Sequence, residues 1–373
     1  MMDDKSLRFL EELSNSPGPS GFEKAPMQMI KEYVKPYADE IHSDNMGNLF
    51  FEKTGKKGGP TILIPAHVDE VGFLITSINS LGYLTFNPLG GWFDQVLLGQ
   101  RVQVMTCKGM VRGVIACKPP HIMDVEERRK VIAKDKMFID VGASNKEEAE
   151  AMGIRVGDAA VPESSFRSIT KKAFKDGKED GERRIIFGKA FDNRASAFLT
   201  AELVRTLSEE GVVHPNRVVC ASTVQEEVGA RGAKTAAVYV KPDVALVLDV
   251  DIAGDVPGIE PHQAPAKMGL GAAVTVFDSS MIPNQPLKEL VIDICERNGI
   301  PYQLAHVAAG GTDGGPIHTS NIGIPSIVIG VPTRHIHSHV AVIDMADMES
   351  TLKLVLELVK ALDGKTVRSL TEV

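Results

Sequence analysis

The stretch Thr61-Ile62-Leu63-Ile64-Pro65-Ala66-His67-Val68-Asp69-Glu70 decides the fold class of this chain. A short apolar run that stops abruptly at polar residues is the pattern of a strand buried on both faces, as in a parallel sheet. The same grammar returns three times. Residues 217–224 (RVVCASTV) end in Gln225-Glu226-Glu227, residues 244–248 (VALVL) end in Asp249, and residues 326–329 (SIVI) feed the segment PTRHIHS. Between them, apolar periodicity predicts helices over 192–211, 286–298 and 345–362. Two more precede the first strand, one carrying Leu7, Leu10 and Leu13 at helical spacing and one over roughly residues 22–36. Strands alternating with helices predict an α/β fold, a mostly parallel sheet with helices on both faces.

The pattern changes between Val71 and Phe166. Short runs (FLITSI, YLTFNP, RVQVMT, GMVRGVIACK, MFIDVG) are separated by glycines, with one helical segment around Glu147 to Met152. This predicts an inserted β-rich second domain over 72–166, which divides the first domain into 1–71 and 167–373. The charged segment KKAFKDGKEDGERR (171–184) reads as a solvated loop or hairpin tip.

Composition narrows the function classes. The 373 residues carry a net charge of −8, with 43% hydrophobic and 24% charged residues, as in ordinary globular proteins. An acidic balance argues against nucleic acid or an anionic membrane as the main partner, because both want a basic face. No apolar run is long enough to span a bilayer, and the acidic start MMDDKSLRFLEELSNS is no signal peptide, so a cytoplasmic location is expected. Cys107, Cys117, Cys220 and Cys295 form no CxxC pair; Cys220 and Cys295 lie in apolar runs and read as buried thiols of a reducing compartment.

Chemistry concentrates at the strand ends. In open α/β sheets, ligands bind beyond the carboxyl ends of the strands. His67, Glu226-Glu227 and Asp249 sit at three such ends, His337 lies past a fourth, and Asp192 opens a helix on the same edge. Two imidazoles and three carboxylates suit borderline divalent metals, and their number fits two ions better than one. Asp192 would bridge, His67 and Asp249 would complete one site, and Glu227 and His337 the other. Glu226 is then placed as the base beside a metal-bridging water, and Asp69 as the partner that orients His67.

Taken together, PAHVDEVGF, GGWFDQVLLGQRV, KAFDNR, TVQEEVGARGA, LDVDIAGDVPG, GGTDGGPIH and PTRHIHS resemble the motif series of the tetrahedral aminopeptidases. This is the glutamyl, lysyl and deblocking aminopeptidase family, some of whose members carry an endoglucanase label. The resemblance runs from the PGPSGFE loop to the last helix. It implies a three-layer sandwich of the dinuclear zinc-peptidase type, with two divalent ions (zinc or cobalt) per subunit. It implies the ligands His67, Asp192, Glu227, Asp249 and His337, with Glu226 as catalytic base and Asp69 behind His67. It also implies peptides as substrates, dimerisation through the insertion, and a hollow twelve-subunit tetrahedron.

Some positions stay open at this level. His335 stands where the family usually has Tyr, and Asp251 could compete with Asp249. Thr312 and Asp313, in a loop richer in glycine than usual, either line a substrate pocket or form a tight turn; His262, His306 and His318 are further pocket candidates. A deacylase or carboxypeptidase with the same dinuclear core is the nearest rival. A glycoside hydrolase using paired carboxylates is a remoter one, since the chain has one Trp and 5% aromatics.

Overall fold

Asp3 begins the first helix by accepting a hydrogen bond from the Ser6 amide at 2.8 Å, and α1 (Asp4–Asn15) then turns Phe9, Leu10 and Leu13 into the core. The computed structural model describes residues 2–175 and 177–372. After α2 (Lys24–Val34), β1 (Glu40–Ser43) and β2 (Leu49–Thr54) form an antiparallel pair that leads into β3 (Thr61–His67). The chain next builds β4 (Gly72–Ile78), β5 (Leu84–Leu89), β6 (Arg101–Thr106), β7 (Gly109–Ala116), β8 (Phe138–Asp140) and β9 (Ala159–Pro162). These close into an antiparallel barrel of order β4-β5-β8-β7-β6-β9, with α3 (Val125–Arg128) and α4 (Lys146–Ala151) in its connections. Its own core stacks Phe73 on Trp92, with ring centroids 4.9 Å apart.

The charged segment 171–184 is a strand pair, β10 (Arg167–Lys175) with β11 (Lys178–Gly188). Then follow α5 (Phe191–Glu209), β12 (Arg217–Thr223), α6 (Arg231–Val240), β13 (Val244–Ile252), β14 (Ala272–Phe277), α7 (Gln285–Asn298) and β15 (Tyr302–His306). The chain finishes with α8 (Gly314–His318), β16 (Ser326–Thr333), β17 (Ala341–Asp344), α9 (Met345–Ala361) and α10 (Gly364–Ser369).

The main sheet has the order β1-β2-β12-β3-β13-β16-β14-β15. Its centre, β12-β3-β13-β16, is parallel, as the apolar runs predict. The flanks correct the expectation of a mostly parallel sheet: β2 runs against β12 and β14 against β16, so the sheet is mixed. An antiparallel edge next to a parallel core has the same local hydrophobicity, so periodicity alone carries no strand direction. Alternation along β3 feeds two cores. Ile62, Ile64 and Ala66 join residues of α1, α2, α5 and α9, while Leu63 joins Val219, Val247 and the alanines of α6. Small residues of α5 (Ala195, Ala197, Ala201) are fully buried, which lets this helix lie close over β3 and β13 and brings its N-terminus to the strand ends.

Candidate metal centre

Parallel register sets the site. His67 is the last residue of β3 and pairs with Thr223, the last of β12, so the turn Gln225-Glu226-Glu227 leaves the sheet beside it. Asp249 comes from β13, which corrects one expectation: the strand does not end there but continues to Ile252. Asp192, at the head of α5, keeps non-helical angles (φ −81°, ψ 102°) that hold its side chain off the helix direction. His337 follows β16 with φ 53°, a left-handed turn that swings the imidazole back over the sheet edge.

All five candidate ligands and Glu226 line one cavity of about 580 Å³. Asp192 divides its carboxylate between the two imidazoles. One oxygen lies 3.2 Å from His67 Nε2 and the other 3.2 Å from His337 Nε2. Asp249 stands 3.9 Å from His67 Nε2 and Glu227 3.5 Å from His337 Nε2. Glu226 Oε2 is 3.8 Å from His67 Nε2. The donor atoms of His67, Asp192 and Glu227 all fall within 4.8 Å of one another.

The far nitrogen of each ring is fixed. His67 Nδ1 faces the Asp69 carbonyl at 3.1 Å and its carboxylate at 3.5 Å, and His337 Nδ1 faces the Gly91 carbonyl at 2.6 Å. Each Nδ1 must therefore donate, which turns the Nε2 lone pair into the cavity. Asp69 does more than orient His67: it also accepts from Ser20 Oγ (2.6 Å), Glu226 N (2.9 Å) and Glu227 N (3.1 Å). One buried carboxylate thus ties the His67 turn to the turn bearing both glutamates.

Sequence reasoning missed four parts of this support. Ser20 belongs to the PGPSGFE loop. Gly91 belongs to the barrel connection after β5, and Glu70 pairs in the interior with Lys189 at 2.6 Å. Arg194, fully buried, donates to the carbonyls of Val68 (2.7 Å) and Leu13 (2.6 Å), binding the first loop to the His67 turn. The Gly90-Gly91 pair after a strand was a visible sign of close backbone approach, but what it approaches is set by tertiary folding alone.

The electrostatics demand positive charge. Burial pushes the Glu227 carboxyl up to about 8, helped by neighbouring Asp192. Burial likewise drives Glu226 and Asp249 well above the carboxylate range. Burial, the largest single influence, would strip protons from the imidazoles, yet the hydrogen bond to Asp192 and the surrounding carboxylates together outweigh it and hold His337 up to about 10, with His67 raised as well. Protons here stand where cations would. Glu227 Oε1 is buried without a hydrogen-bond partner, and two imidazoles with oxygen donors suit a divalent metal. The residues present fit such ions.

The open positions resolve unevenly. His335 is exposed and away from the cavity lining. Asp251 points to Thr275 Oγ1, at 3.1 Å, instead of the cavity. Thr312 lines the cavity, whereas Asp313 is bonded to Thr223 Oγ1. The extra glycines have a packing cause: a Cβ on Gly311 or Gly315 would lie 2.8 or 2.6 Å from Ser280 Oγ. His262, His306 and His318 do not line the cavity, nor does any Phe, Tyr or Trp.

A mixed α/β sheet carrying this donor cluster at its strand ends defines a metal-dependent hydrolase. Residues 47–354 match the M42 glutamyl aminopeptidase family, and the chain belongs to it. It is a metallo-aminopeptidase that hydrolyses N-terminal residues from peptides. It is 30% identical over 351 residues to the glutamyl aminopeptidase of Lactococcus lactis, covering 93% of this chain and 94% of that one. The TET aminopeptidase of the marine sediment archaeon Thaumarchaeota archaeon SCGC AB-539-E09 superposes with a TM-score of 0.94 at 52% identity, over 99% of both chains. The Pyrococcus horikoshii TET1 peptidase, which can assemble into a tetrahedron or a large octahedral shell, superposes with a TM-score of 0.82 at 31% identity, over 95% of this chain and 99% of that one. Among the described residues no helix is long and apolar enough to cross a membrane.

Proposed function

We propose that this aminopeptidase works with two divalent ions, zinc or cobalt, in a three-layer frame of the dinuclear peptidase type. His67 and Asp249 would hold one ion and Glu227 and His337 the other, with Asp192 shared by both. The observation that carries this reading is the Asp192 carboxylate, with one oxygen 3.2 Å from each Nε2. Bound ions would supply a seat for the free α-amine, polarisation of the scissile carbonyl and a more acidic water.

Glu226 acts as the proton carrier. It lines the cavity beside the ligand group and, among the described residues, pairs with His67 alone, and burial raises its proton affinity. It takes a proton as the water oxygen bonds to the carbonyl carbon, then delivers that proton to the amine as the C–N bond breaks. Asp69 keeps His67 in one tautomer and fixes the backbone that aims Glu226. Residues 1–71 and 167–373 form the catalytic domain and 72–166 the dimerisation domain, in a cytoplasmic assembly of dimers, up to the tetrahedral dodecamer.

The test compares wild type with Glu226→Gln. The variant should bind two ions per chain by elemental analysis and lose about 10²–10⁴-fold in kcat. Near-normal turnover would remove Glu226 from this role. Hydrolysis of N-acetylated substrates in preference to free amines would favour the deacylase reading of the same centre.

A further inference from the structure

Beside the ligand group the same cavity offers a largely apolar space, lined by Val250, Ile252, Val307, Pro316 and Ile336, with Ser280, Thr312 and the loop Ala309-Gly310-Gly311. Among the described residues no Lys or Arg lines it, and the one charged side chain there apart from the ligands and Glu226 is Asp278, whose carboxylate is already engaged. Oδ1 accepts from Ser280 N and Ser280 Oγ, both at 2.6 Å, and from Met281 N at 2.7 Å; Oδ2 accepts from Thr312 Oγ1 at 3.1 Å. Asp278 is 2% exposed, so it stiffens the cavity wall more than it faces an occupant.

We propose that this space receives the side chain of the substrate's first residue and selects an uncharged, aliphatic one. The inference rests on the aminopeptidase reading of the adjoining centre and specifies its substrate. An aliphatic side chain gives up only water on entering such walls. An acidic side chain would lose its hydration with no Lys or Arg among the described lining residues to meet it. A basic side chain faces the same desolvation, and Asp278, 2% exposed and engaged by four donors, is not free to meet it. Aliphatic side chains therefore come ahead of charged ones of either sign. A single methylene in an apolar pocket is worth roughly 10–200-fold in kcat/KM, so leucyl and methionyl substrates should exceed alanyl by at least about tenfold.

The metal-loaded enzyme is assayed on Leu, Met, Ala, Lys and Glu aminoacyl-p-nitroanilides, and free Leu, Lys and Glu are titrated as product inhibitors. Leu and Met should lead Lys and Glu in kcat/KM, and free Leu should inhibit most tightly. Val307→Lys, which places a cation at a half-buried wall position, should raise the Glu-to-Leu ratio of kcat/KM at least about tenfold. A lead for Lys or Glu in wild type, or an unmoved ratio in a folded Val307→Lys enzyme, overturns the pocket assignment and leaves the metal centre standing. Absence of turnover on every free-amine substrate overturns both.

Discussion

Asp69 touches nothing in the cavity, yet three separate features of the site depend on it: the tautomer of His67 and the two amides that aim Glu226 and Glu227. Asp69→Asn replaces an oxygen by an NH₂ that would face other donors. The expected outcome is a roughly 10–100-fold loss of metal affinity in a metal-buffered titration, with the fold retained; unchanged affinity would contradict the orienting role. Away from the centre, Asp347 is buried on α9, where it accepts from Gly269 N at 2.5 Å and Gly271 N at 2.7 Å. Burial pushes its carboxyl up to about 7, against 3.8 in the open chain. Between these values the folded state holds the extra proton, so its contribution falls as pH rises from about 4 to about 7 and is flat outside that window. Asp347→Asn should remove up to an order of 4 kcal/mol of that slope, read as the difference between the pH–Tm curves of metal-free variant and metal-free wild type. At this scale the sequence was legible where chemistry is local: His67, Asp192, Glu226, Glu227, Asp249 and His337 do share one cavity. Ser20 and Gly91 were not legible, because a hydroxyl and a backbone carbonyl acquire their roles only through what folding places opposite them.

Strands β3, β12, β13 and β16 could be read from apolar runs because burial on both faces leaves an unbroken signature. The barrel strands alternate weakly, and the closed order β4-β5-β8-β7-β6-β9 leaves no trace in local pattern. The consequence is functional, since the connection after β5 reaches the metal centre. Gly90 has φ +84°, and a Cβ there would lie 2.9 Å from Glu227 Oε2; at Gly91 it would lie 3.0 Å from His337 Nδ1. Gly90→Ala should weaken the ion proposed for Glu227 and His337 while sparing the one proposed for His67 and Asp249. Stoichiometry by elemental analysis under limiting metal would fall toward one ion per chain; two equally tight ions would contradict the close approach. The β3 and α5 turns are coupled in a similar way through the buried Lys189–Glu70 pair. Lys189→Met leaves the buried Glu70 charge facing only Arg194, 3.5 Å away, and should cost on the order of 3 kcal/mol in denaturant unfolding. Adding Glu70→Gln should recover part of that loss, which a simple packing defect at residue 189 would not allow.

For the whole molecule, the barrel carries apolar surface that its own core does not use. In the connection between β7 and β8, Ile122, Val125 and Val131 are 69%, 54% and 56% exposed, and Val156 farther along is 64% exposed. Apolar side chains grouped in one segment mark an association surface, and a barrel has no free strand edge to offer instead. Lys134, in the β7–β8 connection, donates to the Trp92 carbonyl at 3.1 Å and to Asp94 at 2.6 Å, so a dimer proposed there would adjoin the connection that reaches His337. The expected mass by light scattering is therefore a multiple of the 40.3 kDa chain, twelvefold for the closed tetrahedron. Replacing both Ile122 and Val125 by Lys should break the assembly down to smaller species, because two buried like charges per chain would meet their symmetry mates. Enclosure also makes a kinetic difference that mass alone does not show. If the centres open into a chamber, wild type should cleave short peptides and spare the exposed N-terminus of a folded protein, whereas the dissociated variant should gain activity on that folded substrate. An unchanged mass, or equal action of both enzymes on folded and unfolded substrates, would separate the barrel from assembly.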